Sequence, residues 1–333
     1  MSTSHHFKLV EQLEDLQDLP AIRNVPDEQL RCRVNHKKQK KRDISNDLEE
    51  LAEKEQALTF SYQASKHEKQ WLIGSLSDFY HMHWFDDILR LIKGGGKEAS
   101  VYQCLGNTTT DVDYLAAKVY RPRRFRQLRN DALYREGRLL LDDEGHQIGD
   151  DGSLHAIRQR TQYGLQLMHT SWIEHEFQTM KRLYEGGADV PKPYACGNNA
   201  ILMEYIGWDD IEAPTLNTVS LSPAEAQDVF DRVIKNINLM LDNQRVHGDL
   251  SAYNILYCEG NIKLIDFPQA INPDQNRNAY AIFRRDLTRL CEYFQDKGIY
   301  CQPAALAESM WLRHGYPIKL AVHPILLEPE TIE

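Results

Sequence analysis

The chain of 333 residues has little of what would take it into or across a membrane. No apolar run approaches the roughly 20 residues needed to span a bilayer. The N-terminus MSTSHHFKLVEQLEDLQDLP lacks the apolar centre of a signal peptide. These absences predict a cytoplasmic protein with no membrane partner. Cysteine is sparse: Cys32, Cys104, Cys196, Cys258, Cys291 and Cys301 are scattered, with no C-x-x-C pair. That pattern does not build a disulfide framework, and all six are expected to be reduced. Positive charge is in deficit, since 39 Lys and Arg face 49 Asp and Glu for a formal net charge of -10. Such a balance argues against a broad nucleic-acid surface and against sequence-specific DNA binding. The local exception is His36-Lys37-Lys38-Gln39-Lys40-Lys41-Arg42, which reads either as a solvated charged face or as a contact for RNA or acidic protein. No internal repeat of 20 to 50 residues is visible, which excludes solenoids and propellers.

Aromatic residues are also few in residues 1–70, which are rich in Glu, Gln, Lys and Asp, with a weak helical pattern around Leu48, Leu51 and Leu58. This segment reads as a polar extension, partly helical or flexible. Large apolar residues become dense from Trp71 and stay so to about Tyr316, so residues 71–333 are assigned to the folded domain.

Within that domain, ILRLIKGGGKEASVYQCL (88–105) places two β-rich runs about a glycine turn. Glycine lets backbone amides approach phosphate oxygens. The spacing Gly94-x-Gly96-x-x-Ala99-x-Val101 is that of a phosphate-covering loop, with Ala in the third glycine position; a plain glycine hairpin fits equally well. The run Tyr114-Leu115-Ala116-Ala117-Lys118-Val119-Tyr120 then buries one lysine in an apolar strand, where it needs an anion. A helix marked by Trp172, Phe177, Met180, Leu183 and Tyr184 carries Glu174 and Glu176, and Glu176 is the favoured partner of Lys118. Residues 121–168 between them are too long for a routine connection and read as a mobile or functional insertion. Further on, AILMEYIG (200–207) reads as a buried strand ending at glycine, and Ser222-Pro223-Ala224-Glu225 as a capping box opening a long helix.

That helix runs into VHGDLSAYNILYCEGNIKLIDFPQAI (246–271), with Asn254 five residues after Asp249 and Asp266 twelve after Asn254. Phosphoryl transfer asks a protein for one carboxylate to orient the nucleophile and for oxygen ligands to hold Mg²⁺ against the phosphates. Asp249 fits the first task; Asn254 and Asp266, on two strands joined by a turn at Glu259-Gly260-Asn261, fit the second.

The whole pattern resembles the RIO family of atypical serine/threonine protein kinases. The matching motifs are Gly96-Lys97-Glu98-Ala99-Ser100-Val101-Tyr102, Met203 to Gly207, His247 to Leu256, and Ile265-Asp266-Phe267-Pro268-Gln269. The resemblance implies a minimal two-lobed, protein-kinase-like α+β fold. Its N-lobe, about 85–203, would be a β-sheet plus one helix, followed by a hinge at 204–207 and a mostly helical C-lobe over about 208–316. It implies ATP under Gly94, Gly96, Lys97, Ala99, Ser100 and Val101 and against Lys118, with the adenine at Met203 and at the main chain of Glu204 and Ile206. It implies Asp249 as the acid-base residue, Lys118 held by Glu176, and Mg²⁺ or Mn²⁺ on Asn254 and Asp266. Only 20 residues separate Asp266 from Asp286, and no A-P-E motif follows, so the segment that docks a peptide in ordinary protein kinases is missing. The resemblance therefore leaves three activities: a kinase or autokinase, an ATPase-type switch on a ribonucleoprotein assembly such as a pre-ribosome, and a small-molecule phosphotransferase.

Overall fold

The computed structural model describes residues 58–94, 98–121, 131–197 and 199–319. An upper lobe is built on an antiparallel sheet of order β1-β2-β3-β5-β4, where β1 is Asp87–Lys93, β2 Ala99–Leu105, β3 Tyr114–Tyr120, β4 Pro193–Cys196 and β5 Ala200–Glu204. The period of two along β3 sends its side chains to opposite faces. Leu115, Ala117 and Val119 enter an upper core, while Tyr120 belongs to the lower one and Lys118 faces the cleft. Register carries this pattern across the sheet, with Lys118 between Val101 on β2 and Ile201 on β5.

Helix α1, Lys66–His81, covers the upper face of the sheet. It starts at a capping box in which Ser65 and Glu68 satisfy each other's backbone amides. Leu72, Ile73, Leu76 and Phe79 on α1 pack with Phe85, Ile88 and Tyr102. Residues 58–70, polar overall, contribute a fully buried Leu58 to the same cluster. The basic cluster at 36–42 lies outside the described residues.

Where it is described, the stretch read as an insertion carries secondary structure of its own. Within it, α2 spans Asp131–Arg135, Leu141 bridges Gln147, and α3 spans Asp151–Arg158. Helix α4 is 24 residues long, Gln162–Glu185, and so begins ten residues before the apolar stripe at Trp172 that marks it in the sequence. Its first turns pack on α3, and Leu165, Leu167 and Met168 there are only half-buried. Gly164 lies so close that a Cβ there would stand 2.1 Å from the Ala156 carbonyl oxygen. The caps that start these two helices, Asp150 accepting from Ser153 N–H and Thr161 accepting from Gly164 N–H, are ordinary N-cap chemistry. Residues 122–130 lie outside the description.

The lower lobe follows a short hairpin of β6, Gly207–Trp208, and β7, Ile211–Glu212. Its spine is α5, Pro223–Asp242, opened by the Ser222–Glu225 capping box. A hairpin of β8, Ile255–Cys258, and β9, Asn261–Leu264, turns through Glu259 and Gly260 at φ 49° and 78°. Two positive φ values are what a two-residue turn between twisted strands requires. Helices α6, Ala279–Gln295, and α7, Pro303–Arg313, close the lobe. The expectation of six reduced cysteines is corrected here: Cys291 on α6 is disulfide-bonded to Cys301 just before α7. The sharp connection between these helices brings two residues ten apart in sequence to a Cα separation of 5.9 Å. Cys104, Cys196 and Cys258 are free.

Candidate active site

The lobes enclose a cleft of about 750 Å³. Its deepest charge is the buried Lys118, whose Nζ donates at 2.6 Å to Glu176 Oε1 and at 2.6 Å to Asp266 Oδ1. Strand β3, helix α4 and the end of the β9 arm thus meet at one ammonium group. Glu176 is 2% exposed and uses its second oxygen to accept the Tyr120 hydroxyl at 2.7 Å, while Oε1 also receives Phe267 N–H at 3.3 Å. A buried carboxylate with all its partners supplied is held rigidly. Burial pushes the Lys118 ammonium down, but Asp266 and Glu176 outweigh it and the net displacement is upward. Burial likewise pushes the Asp266 carboxyl up, and Lys118 overrides it to hold the group below its ordinary value. The ion pair is therefore charged on both sides. Asp266 keeps 41% of its side chain accessible in the cleft, so part of its carboxylate remains available to a cation.

The segment 246–271 forms a closed loop, since Val246 and Ile271 exchange backbone hydrogen bonds across its ends. Inside it, His247 Nε2 lies 3.2 Å from the Ile265 carbonyl and its ring stacks obliquely on Phe267. Gly248 adopts φ 84°, and a Cβ there would sit 2.3 Å from the Gln269 carbonyl oxygen, so the close approach of the two arms needs glycine. Asn254 donates from Nδ2 to the Asp249 carbonyl at 2.8 Å, which leaves its side-chain oxygen as a ligand. Asp249 itself is 43% exposed at its side chain and is paired with Arg289 at 2.9 Å.

Ala99, Val101, Met203, Glu204 and Ile206 line the cleft together with Lys118, Glu176 and Asp266. The Ile206 carbonyl already accepts Ala213 N–H, so the hinge contact left for a ligand at that residue is its N–H. The Glu204 carboxylate is held by Lys192 N–H at 3.0 Å and Lys263 Nζ at 2.9 Å, and its own N–H donates to the Lys192 carbonyl at 2.8 Å. Ser100 is not brought to the cleft: it lies between Ala99 and Val101 on β2, points to the opposite face and is buried. Gly94 is exposed at the end of β1, and Gly96 and Lys97 lie outside the described residues. Tyr120, Arg285, Asp286 and Arg289 were not singled out from the sequence. Tyr120 carried a signal, because it is two residues from Lys118 on the same face of a strand.

Among the described residues no group of three His, Cys, Asp or Glu side chains stands ready to hold a metal alone. Mg²⁺ does not require one, because it is commonly bound through one or two carboxylates, waters and the phosphates of a nucleotide. The free oxygens of Asn254 and Asp266 fit that mode.

A five-stranded upper lobe, a helical lower lobe and a Lys–Glu–Asp ion cluster over an Asp–Asn loop define a two-lobed, protein-kinase-like fold. The family model of the RIO domain matches residues 100–306. The chain belongs to the RIO domain family. It is 31% identical over 206 residues to the RIO-type serine/threonine-protein kinase Rio1 of Haloferax volcanii, covering 61% of this chain and 62% of that one. It is 27% identical over 205 residues to serine/threonine-protein kinase RIO1 of Caenorhabditis elegans, covering 61% of this chain and 36% of that one. The match thus spans less than two thirds of these relatives' own length. The Rio2 kinase of Chaetomium thermophilum, solved as an ADP/Mg²⁺-phosphoaspartate complex, shares the fold with a TM-score of 0.51 at 16% identity, over 95% of this chain and 92% of that one.

Proposed function

We propose that the protein is an ATP- and divalent-metal-dependent serine/threonine kinase or autokinase of RIO type. The observation that carries this reading is the single ammonium of Lys118 held at 2.6 Å by both Glu176 and Asp266 at the back of the cleft. A buried cation fixed by two carboxylates, one of them facing the cleft, is an arrangement for receiving phosphate and metal together. When bound, ATP with Mg²⁺ or Mn²⁺ supplies the transferable phosphoryl group and neutralises its charge.

The residues of this chain then have separate tasks. Glu176, locked by Tyr120, aims Lys118 at the phosphates. Asn254 and Asp266 present oxygen ligands to the metal. Ala99, Val101 and Met203 offer apolar walls to an adenine, while the main chain of Glu204 and Ile206 offers hydrogen bonds. Asp249 orients the acceptor hydroxyl and takes its proton. The transition state of phosphoryl transfer is loose, so positioning and charge, more than a strong base, set the rate.

A second reading keeps the same site as an ATPase-type switch on a partner such as a ribonucleoprotein assembly. It is favoured by the 20 residues between Asp266 and Asp286, which leave no segment for docking a peptide. The relative described as a phosphoaspartate complex supports it too, since an aspartyl phosphate is a way to split ATP without a separate acceptor. Incubation with γ-labelled ATP and Mg²⁺, with and without cell extract, separates the readings. Hydroxylamine-stable label on the protein or on an extract protein supports kinase action; free phosphate, with any label on the protein lost to hydroxylamine, supports the switch. Absence of any Mg²⁺-dependent ATP affinity overturns both.

A further inference from the structure

Helix α6 turns three side chains of one face toward the segment that carries Asp249. Arg289 stands three residues after Asp286 and four after Arg285, which places it beside both on the helix. Two of them grip backbone. Asp286 Oδ2 accepts Gly248 N–H at 2.9 Å, and Arg285 Nη2 donates to the Gly248 carbonyl at 2.5 Å. Asp286 is buried at 3% exposure and Arg285 is partly buried, and together they account for the position of the chain at Gly248. Arg289 does something different, since its Nη1 donates at 2.9 Å to a side-chain oxygen, Asp249 Oδ1. Among the described residues no other side chain is bonded to that carboxylate.

Stability does not explain this pair. Its side chains are 27% and 43% exposed, and ion pairs of that kind add little to folding. The backbone of the loop is already held by Arg285 and Asp286. What Arg289 adds is the direction of the carboxylate itself.

We propose that Arg289 is a positioning residue that fixes Asp249 through Oδ1 and leaves Oδ2 to receive the acceptor. This rests on the phosphoryl-transfer reading of the cleft. In the step it serves, the acceptor oxygen forms a bond to the γ-phosphorus as the bond from that phosphorus to the ADP oxygen breaks. The acceptor proton passes to Asp249 Oδ2. A guanidinium on the other oxygen serves a step in which the nucleophile needs orienting more than deprotonating. It also offsets the repulsion between the Asp249 carboxylate and the incoming phosphates. An aspartate left to rotate would spend much of its time turned away, and misplacement of about 1 Å can cost on the order of 100-fold in rate.

The test compares wild type with Arg289→Gln and Arg289→Lys in transfer and release of label from γ-labelled ATP, alongside direct titration with ATP and thermal melts. Arg289→Gln is expected to lower kcat by about 10- to 100-fold, with KM for ATP and nucleotide affinity within about two-fold of wild type. Arg289→Lys, which restores a cation and a donor, is expected to recover part of the loss. Melts should stay close to wild type; if Arg289→Gln does not fold, Arg289→Met is read in the same way. An unchanged kcat overturns the assignment, and so does a rise in KM as large as the fall in kcat. If the wild-type protein moves no label at all, the phosphoryl-transfer reading fails first, which is a different result from a wild-type and variant that turn over alike.

Discussion

Replacing Lys118 by Met separates what the ion cluster does for folding from what it does for the ligand. The side chain is 8% exposed and its Nζ is the cationic partner of Glu176, itself 2% exposed. Without it, Glu176 keeps the Tyr120 hydroxyl and Phe267 N–H but no positive charge. Removing one member of a buried pair strands the other, and the expected loss is about 3–5 kcal/mol. Asp266 adds little to this, because 41% of its side chain reaches the cleft and can stay solvated. For a domain of this size each kcal/mol lowers Tm by roughly 2–4 °C, so Lys118→Met should melt about 6–20 °C below wild type. The double variant Lys118→Met/Glu176→Met removes both charges. Because an apolar pair of similar volume often replaces a buried ion pair at little cost, it should recover most of that loss. Neither variant should bind ATP with wild-type affinity, since both lack the cation that meets the phosphates. Differential scanning calorimetry and ATP titration of the three proteins check this. If the single variant melts with wild type, or the double variant melts lower than the single, the account of a stranded buried carboxylate is wrong.

Asp249→Ala should abolish phosphate transfer while leaving ATP affinity nearly intact, and Asp266→Ala should remove chiefly the Mg²⁺-dependent part of that affinity, as titration with and without metal would show. Burial, then the neighbouring Arg138, hold the His175 imidazole well below its ordinary value, so it is neutral in the folded protein. The unfolded chain takes up that proton below about pH 6.5, so the stability present above that pH is lost as pH falls, by up to roughly 1.4 kcal/mol per unit from this group. Chemical denaturation at pH 7.5 and 5.5 should show a smaller drop in His175→Gln than in wild type. Gly248→Ala should cost at least about 1–2 kcal/mol from the left-handed backbone alone. It should also lower transfer, because the new Cβ meets the Gln269 carbonyl and moves Asp249; melting and turnover measured together test both effects.

Much of the site is legible in the sequence because phosphoryl transfer constrains residue type at short, fixed offsets. Asp249, Asn254 and Asp266 lie within one segment whose strands and turn dictate their own geometry, and a lysine inside the apolar run 114–120 announces its need for an anion. The choice of Glu176 over Glu174 could be made only as a preference, since both lie on α4. The structure buries both and turns Glu176 to Lys118 and Glu174 to Gln178. The start of α4 is less legible, because its first turns pack on α3 through Gly164, and Leu165 and Met168 there are only half-buried. The Cys291–Cys301 bond is illegible in spacing alone, because it depends on where α6 ends and how sharply the chain turns into α7.

The amino-acid sequence by itself determined the candidate groups, Asp249, Asn254, Asp266 and Lys118, at the offsets that phosphoryl transfer uses. Tertiary structure alone decided how those groups are supported. That Tyr120 completes the shell of Glu176, and that α6 sends Arg285, Asp286 and Arg289 back to the Gly248-Asp249 turn, are contacts between residues 37 to 56 apart in sequence. Local spacing encodes the groups that one segment must hold in fixed geometry. It does not encode which distant side chain will lie against them, because that is set by how the sheet, α4 and α6 pack.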